Sequence, residues 1–167
     1  TDDGIAMGFR RLSIIDIEAA SQPLYNEDKS LVLMFNGEIY NYQDLRAELI
    51  ELGHTFATSG DGETLLHGYE QWGADLLPRL RGMFAFAIWN VAEQTLFIAR
   101  DYFGIKPMHY TLLEDGRLVY GSEIKSILGH PDVKKEFNPA ALDKYLSFQY
   151  SVPTETFFKG ISCLPPA

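Results

Sequence analysis

The pattern of apolar and polar positions predicts several short strands in the first half of the chain. The segments RLSIID (11–16) and HTFAT (54–58) are short, apolar and β-branched, so each is predicted to be a strand. LVLMF (31–35) is a continuous apolar run and predicts a strand buried on both faces. The polar segment NEDK (26–29) predicts a turn before it.

Apolar positions three and four residues apart predict two helices. The first is expected to begin at an Asn41 cap and to end near Leu52, before Gly53. The second is expected to begin at or near Asp61, and a shorter helix to cover 74–80. The residues expected to face inward are Leu45, Leu49, Leu52, Leu65, Leu66, Tyr69 and Trp72.

Strand patterns then follow one another closely, which indicates an antiparallel sheet. Their connections are too short for crossovers, so an antiparallel meander is predicted. Short helices are expected near 124–128 and over 139–147, the latter with Pro139 in its first turn. Strands that cluster in this way indicate the α+β class. The four strands are expected at 83–89, 95–100, 106–113 and 117–122.

Composition and charge exclude several classes of protein. A chain of 167 residues with 46% hydrophobic residues suits one folded domain. The net charge is −9 and the basic residues form no stripe, so neither nucleic acid nor an anionic membrane is an expected partner. The longest apolar run, MFAFAIW, is far too short to span a bilayer.

The positions of the cysteine and the histidines indicate neither a disulfide nor a zinc site. Cys163 is the only cysteine, so there is no internal disulfide, and with no signal-peptide pattern we expect a cytoplasmic location. No metal site is predicted, because the histidines show no Cys/His spacing typical of zinc. They are His54, His67, His109 and His130.

The segment FNGEIYNY (35–42) has two interpretations. Asn36-Gly37 is a strong signal for a hairpin turn, yet the residues after it are helical in pattern. The alternative is an oxyanion hole, in which the Gly37 N–H and the Asn36 amide are the two donors. The pattern alone leaves both open.

Three further polar features are equally ambiguous. Asp61 is either the cap of a helix or the partner of a ligand ammonium, and Arg11 is either a solvated residue or a clamp for a carboxylate. The loop RDYFGIKP (100–107) is expected to be structural, with Arg100 and Asp101 paired. An arginine, an aspartate and an amide-rich segment would together suit a free amino acid.

No nucleophile is evident in the chain. Cys163 stands beside prolines in a segment that resembles a linker, and Ser13 has no paired histidine. Thr1 opens an acidic, turn-like stretch rather than a buried strand end.

The chain contains, in this order, the segments GFRRLSIID, QPLYNED, FNGEIYNY, GDGETLLHGYEQWG, RGMFAFAIW and RDYFGIKPMHY. In order and spacing, these segments resemble the glutaminase domain of bacterial-type, glutamine-dependent asparagine synthetases. That domain is a class II glutamine amidotransferase and an N-terminal nucleophile hydrolase. The resemblance implies a truncated amidotransferase domain over 1–150 and, over 151–167, the start of a linker to a synthetase domain.

The resemblance implies both a fold and a reaction. The fold would be an αββα sandwich of two antiparallel sheets. Glutamine would be hydrolysed to glutamate and ammonia, and the ammonia would reach a second domain of the same polypeptide. There ATP and Mg²⁺ would activate aspartate for conversion to asparagine, so this chain itself would need no cofactor.

The resemblance also implies roles for particular residues. Arg11 would hold the glutamine carboxylate and Asp61 its ammonium, while Glu38 would orient the substrate. Asn36 and Gly37 would form the oxyanion hole. Backbone contacts at the pocket would come from Ile14 and Ile15.

This sequence departs from the family pattern at two places. The family nucleophile is an N-terminal Cys, which this chain lacks, so the 167-residue chain alone is expected to be inactive. The first strand would also be missing, and the exposed sheet edge makes a homodimer a candidate assembly. Gly60 stands where the family commonly has Ser, so one polar contact near the ammonium is expected to be lost.

Two rival interpretations remain. The first is a non-catalytic, glutaminase-like scaffold, as in β-lactam synthetases. The second is another class II amidotransferase, such as amidophosphoribosyltransferase, glutamine–fructose-6-phosphate amidotransferase or glutamate synthase.

Overall fold

The computed structural model describes residues 4–9, 22–150 and 154–167. The chain forms two compact units, Thr1–Ala99 and Arg100–Ala167. The predicted strand at 11–16 lies outside the described residues. The elements are β1 (Leu24–Tyr25), β2 (Leu31–Ile39), α1 (Tyr42–Glu51), α2 (Asp61–Trp72), a 3₁₀ helix (Gly73–Arg79), β3 (Gly82–Asn90), β4 (Thr95–Arg100), β5 (His109–Leu112), β6 (Leu118–Gly121), α3 (Ile124–Leu128), α4 (Pro139–Phe148) and β7 (Ser162–Cys163).

The first unit is built on a four-stranded sheet in the order β1-β2-β3-β4. β2 and β3 run antiparallel over their whole length, with Leu33 opposite Ile88 and Gly37 opposite Phe84. Alternate residues of β2 are buried, while its other face is only partly covered. The expectation that LVLMF is buried on both faces is therefore wrong. The buried face packs with α2 in a core that includes Leu31, Leu33, Phe35, Ile39, Leu65, Leu66, Phe86 and Ile88.

The second unit is a three-stranded sheet in the order β6-β5-β7, with its own small core. Ile127, Val133 and Ile161 are the buried residues of that core. The helix α4 is capped by Asn138, whose side chain accepts a hydrogen bond from the Ala141 N–H. Because β7 and Ile161 belong to this unit, the described part of 151–167 is packed structure, and its role as a linker stays a prediction.

The α+β class is confirmed, but the predicted single meander is wrong. β4 belongs to the first sheet and β5 to the second, so the four later strands do not form one sheet. The RDYFGIKP loop separates the two pairs. Short connections therefore predicted the local hairpins correctly but not the change of sheet between them.

Three local predictions are also wrong, and each has a physical reason. HTFAT forms no strand, because the amides of Ala57 and Thr58 donate to a side-chain carboxylate. Asn41 precedes α1 without capping it through its side chain, which bonds the backbone of residues 79 and 81 instead. Leu52 follows the last turn of α1 and is 51% exposed rather than inward.

Among the residues described, no helix combines the length and apolar character that a bilayer crossing requires.

Candidate active site

Asn36, Gly37 and Glu38 lie inside β2, not in a turn. All three residues pair with β3, opposite Ala85, Phe84 and Met83. The hairpin interpretation of Asn36-Gly37 is therefore wrong. Asn36 is exposed, and its side chain shares one face of the strand with that of Glu38, because side chains alternate along a strand.

The backbone of Gly37 faces the open side of β2. The Phe35 N–H and C=O both bond the Gln22 side-chain amide at 2.6 Å, on the side of β2 away from β3. The Tyr40 N–H, by contrast, donates to Arg81 next to β3. Because backbone direction alternates along a strand, the Gly37 N–H points away from β3, as that of Phe35 does.

Two side chains flank the Gly37 N–H on the side of β2 away from β3. β1 pairs only with Val32 and Leu33, so within residues 22–150 no strand pairs with Gly37 on that side. On one side of Gly37, the Gln22 side-chain amide bonds the backbone of Phe35. Asp61 lies on the other side, since its Oδ2 accepts from the Ile39 N–H at 2.9 Å. The Gly37 N–H is therefore a backbone donor that lies between the Gln22 and Asp61 side chains.

Gly37 is a glycine for a steric reason. Its φ is +150°, and a Cβ at this position would lie 2.1 Å from the Met83 carbonyl oxygen and 2.7 Å from the Phe84 Cα. Both obstacles are backbone atoms of β3, which cannot rotate away. The close approach of β2 and β3 therefore depends on the missing side chain.

Asp61 is the first residue of α2, and its carboxyl group lies beside the end of β2. Burial raises the pKa of Asp61 above its ordinary value of 3.8, the bond from Ile39 opposes that rise, and the nearby Glu38 charge adds to it. The Glu38 and Asp61 carboxyl groups together make this end of β2 acidic. A cation placed there would relieve both the repulsion and the cost of burial.

The loop before Asp61 is held by one buried carboxylate. Glu63 is 7% exposed, and its carboxylate accepts from the Ala57 N–H at 2.7 Å and from the Thr58 N–H at 2.6 Å. The Thr58 hydroxyl also donates to it at 2.6 Å. Gly60 then precedes α2 in an extended conformation, with no side-chain cap bond.

We expect Glu63→Gln to loosen this loop, because an amide NH₂ would face donors that need an acceptor. The free energy of unfolding should fall by about 1.5–3 kcal/mol, the range for hydrogen bonds to a charged group. Urea denaturation measures the loss, and faster amide exchange at Ala57 and Thr58 locates it. Glu48→Gln is the control, since its exposed pair with Arg79 should contribute less than about 1 kcal/mol. Equal losses in the two variants would contradict the role of Glu63.

The structure brings together four of the seven predicted site residues: Asn36, Gly37, Glu38 and Asp61. Arg11, Ile14 and Ile15 lie outside the described residues, so their roles stay predictions. Sequence reasoning missed Gln22 and Glu63, which position this site through backbone bonds. No sequence pattern marks either residue.

The RDYFGIKP loop is held by hydrogen bonds of its own residues, as expected of a structural loop, while the pairing of Arg100 with Asp101 stays a prediction. The Asp101 carboxylate accepts from the amides of Phe103, Ile105 and Lys106. Arg100 donates to the Gly104 carbonyl and to the Cys163 Sγ, the latter at 2.9 Å. Cys163 lies in β7 opposite His109, which agrees with a structural role for this cysteine.

Comparison with known proteins gives consistent matches. A family model described as a glutamine amidotransferase domain matches residues 1–167. "Asparagine synthetase [glutamine-hydrolyzing] 1" of Bacillus subtilis is 47% identical over 99% of this chain, which covers 26% of that protein. "Asparagine synthetase B [glutamine-hydrolyzing]" of Escherichia coli is 42% identical over 81% of this chain, which covers 24% of that protein. The chain thus spans about a quarter of the length of these relatives.

Solved structures support the same fold. A glutamine phosphoribosylpyrophosphate amidotransferase from B. subtilis, solved with ADP and GMP, matches 64% of this chain and 25% of its own. The TM-score is 0.53 and the sequence identity 29%. This similarity agrees with the two antiparallel sheets and with the fold of N-terminal nucleophile amidotransferases.

Proposed function

This chain belongs to the glutamine amidotransferase domain family, and we propose that it is the glutamine-hydrolysing part of an asparagine synthetase. The observation that carries the proposal is the Gly37 N–H, which has no strand partner away from β3 among the described residues, beside the Glu38 and Asp61 carboxyl groups. The names of the B. subtilis and E. coli relatives support the choice of asparagine synthetase within the family.

The acidic end of β2 suits the ammonium group of glutamine. Asp61 is fixed by its bond to the Ile39 N–H, so its second oxygen is oriented before the substrate arrives. Bound ammonium would favour the charged form of Asp61 and offset the rise in its pKa that burial causes. The substrate carboxylate would then be held by Arg11, as the family resemblance implies.

Asn36 and Gly37 would stabilise the transition state of amide hydrolysis. Attack on the side-chain carbonyl of glutamine turns its oxygen into an oxyanion, which needs two preorganised donors. The Gly37 N–H is one donor and the Asn36 amide the other. The family nucleophile is an N-terminal Cys, and no residue of this chain is assigned that role.

The remaining steps would belong to the rest of the polypeptide. Ammonia would pass to a synthetase domain, where ATP and Mg²⁺ would activate aspartate. This chain spans about a quarter of the length of the relatives, which supports placing these steps in another domain. The cytoplasmic location, the backbone contacts of Ile14 and Ile15, and a homodimer stay predictions.

Asp61→Asn tests the proposal in the enzyme that carries this chain. We expect the KM for glutamine to rise about 10- to 100-fold, as for the loss of a charge-assisted hydrogen bond, with little change in kcat. Glutamate release measured against glutamine concentration gives both constants. Asp44→Asn, which changes an exposed aspartate on α1, should leave both unchanged.

The pH dependence gives a second measurement on the same variants. Ammonium binding requires ionised Asp61, so the KM of the parent enzyme should rise as pH falls through the Asp61 pKa, which lies above 3.8. Asp61→Asn should remove this acid limb. An unchanged KM and an unchanged acid limb in the variant would exclude Asp61 from the glutamine site. An absence of glutaminase activity in the parent enzyme would instead favour the scaffold interpretation.

A further inference from the structure

Two histidines and two glutamates of the first unit converge at one point. The Glu70 Oε2 lies 3.2 Å from the His67 Nδ1 and 3.6 Å from the His54 Nδ1. The Glu27 Oε2 lies 4.0 Å from the His67 Nδ1. These four residues are called the histidine–glutamate cluster below.

The spacing of these atoms approaches that of a small coordination sphere. Tetrahedral zinc with bonds of about 2.0–2.1 Å holds its ligand atoms about 3.3 Å apart. The nitrogen and oxygen donors of His54, His67 and Glu70 all lie within 4.8 Å of one another. Only small side-chain shifts separate the present arrangement from one centred on an ion.

The outer nitrogen of each ring already faces an acceptor. The His54 Nε2 lies 3.0 Å from the Gln71 Oε1, and the His67 Nε2 lies 3.6 Å from the Glu63 Oε1. The His54 Nε2 is within hydrogen-bond distance of its acceptor, and an Nε2–H there leaves the His54 Nδ1 with a lone pair towards the Glu70 carboxylate. The His67 Nε2 is beyond that distance, and the hydrogen bond of this ring joins its Nδ1 to the Glu70 Oε2 at 3.2 Å. Zn²⁺ at the His67 Nδ1 would displace the proton of that bond.

His54 has the arrangement that metal-binding histidines adopt. Such residues typically donate their second ring N–H to a carboxylate or carbonyl, which fixes the tautomer and turns the other nitrogen to the metal. The Glu70 carboxylate is itself oriented, since its Oε1 accepts from the Asn26 Nδ2 at 3.2 Å. A cation between the rings and Glu70 would take the place of the proton that His67 and Glu70 share.

The two imidazoles of the cluster are buried, while its two carboxylates are accessible to solvent. The side chain of His67 is 2% exposed and that of His54 13%, whereas Glu70 is 35% and Glu27 53% exposed. The imidazoles therefore lie inside the unit, and the carboxylates open towards solvent. An ion would enter from the glutamate side.

We propose that the histidine–glutamate cluster is a structural Zn²⁺ site, with His54, His67 and Glu70 as ligands and Glu27 completing the tetrahedron. Two imidazoles with carboxylates suit Zn²⁺ better than Mg²⁺ or Ca²⁺, which prefer oxygen ligands. With Glu27 drawn in from 4.0 Å as the fourth ligand, the coordination would be closed, as in structural zinc sites. Sequence spacing did not predict it, because the ligands come from a turn, a loop and α2.

The site would stabilise the loop that leads to Asp61. His54 stands at the start of that loop, and Glu63 holds its middle through Ala57 and Thr58. Zn²⁺ would link the loop to α2 and to the turn that carries Glu27. This role is independent of glutamine chemistry, since it places no metal at β2.

Titration of the metal-free 167-residue chain tests the proposal. We expect one equivalent of Zn²⁺ by calorimetry, a rise in Tm on binding, and the intense visible spectrum of tetrahedral Co²⁺ when Co²⁺ replaces it. His54→Ala should weaken Zn²⁺ binding at least about 100-fold, since it removes a ligand, and Gln71→Ala about 10- to 100-fold. His130→Ala, which lies outside the cluster, should bind as the parent chain does.

Each result of the titration either supports or contradicts the zinc site. Gln71 is exposed, so its variant keeps the test valid if His54→Ala fails to fold. Absence of binding to the parent chain, a weak octahedral Co²⁺ spectrum, or equal affinity in the parent chain and Gln71→Ala would each overturn the proposal.

Discussion

Asn36→Ala in the enzyme that carries this chain is expected to lower kcat for glutamine hydrolysis about 100- to 1000-fold, with little change in KM. The Asn36 amide would meet the substrate oxygen strongly only when that oxygen becomes an oxyanion. Loss of one oxyanion-hole donor therefore removes an interaction of the transition state rather than of the bound substrate. Steady-state kinetics over a range of glutamine concentrations separates the two constants.

Stability should not explain the loss of activity in Asn36→Ala. Asn36 is exposed on β2, so truncation removes no packing, and Tm should stay close to that of the parent enzyme. Met34→Ala is the matched control, because Met34 lies two residues earlier on the same face of the strand and offers no donor. A raised KM with an unchanged kcat would assign Asn36 to substrate binding instead.

The secondary structure near the site was only partly predictable, because long-range contacts decide it. Asn-Gly normally favours a turn, but Gly37 continues β2 since its missing side chain lets β3 approach. Likewise, HTFAT has strand-like residues, yet its Ala57 and Thr58 N–H groups donate to the Glu63 carboxylate. Those two N–H groups are therefore not available to a neighbouring strand. In both cases residues distant in sequence outweigh local propensity.

The identity of the site residues was more predictable than their arrangement. Family resemblance singled out Asn36, Gly37 and Asp61, and the structure brings these three to one end of β2. The bond from Asp61 to the Ile39 N–H depends on how α2 docks on the sheet, which no local pattern encodes. The histidine–glutamate cluster shows the same limit, because its members converge only after folding.

Gly37→Ala is expected to destabilise the first unit by about 2–6 kcal/mol. A non-glycine residue in this conformation costs about 1–3 kcal/mol, and forcing a methyl group against fixed backbone costs a similar amount. The methyl group would lie 2.1 Å from the Met83 oxygen, so β2 and β3 would have to separate where they frame the Gly37 N–H. Denaturation midpoints with an unchanged m-value give the loss directly.

Gly53→Ala separates the two causes of that loss. Gly53 also has a positive φ, +102°, but a Cβ there would meet nothing within 4 Å. This control should therefore show only the backbone cost, about 1–3 kcal/mol. A larger loss in Gly37→Ala would show that the close approach of β2 and β3 requires glycine at this position. Equal losses would mean that the strands yield to a methyl group, and the Gly37 N–H would then be held less firmly than an oxyanion hole requires.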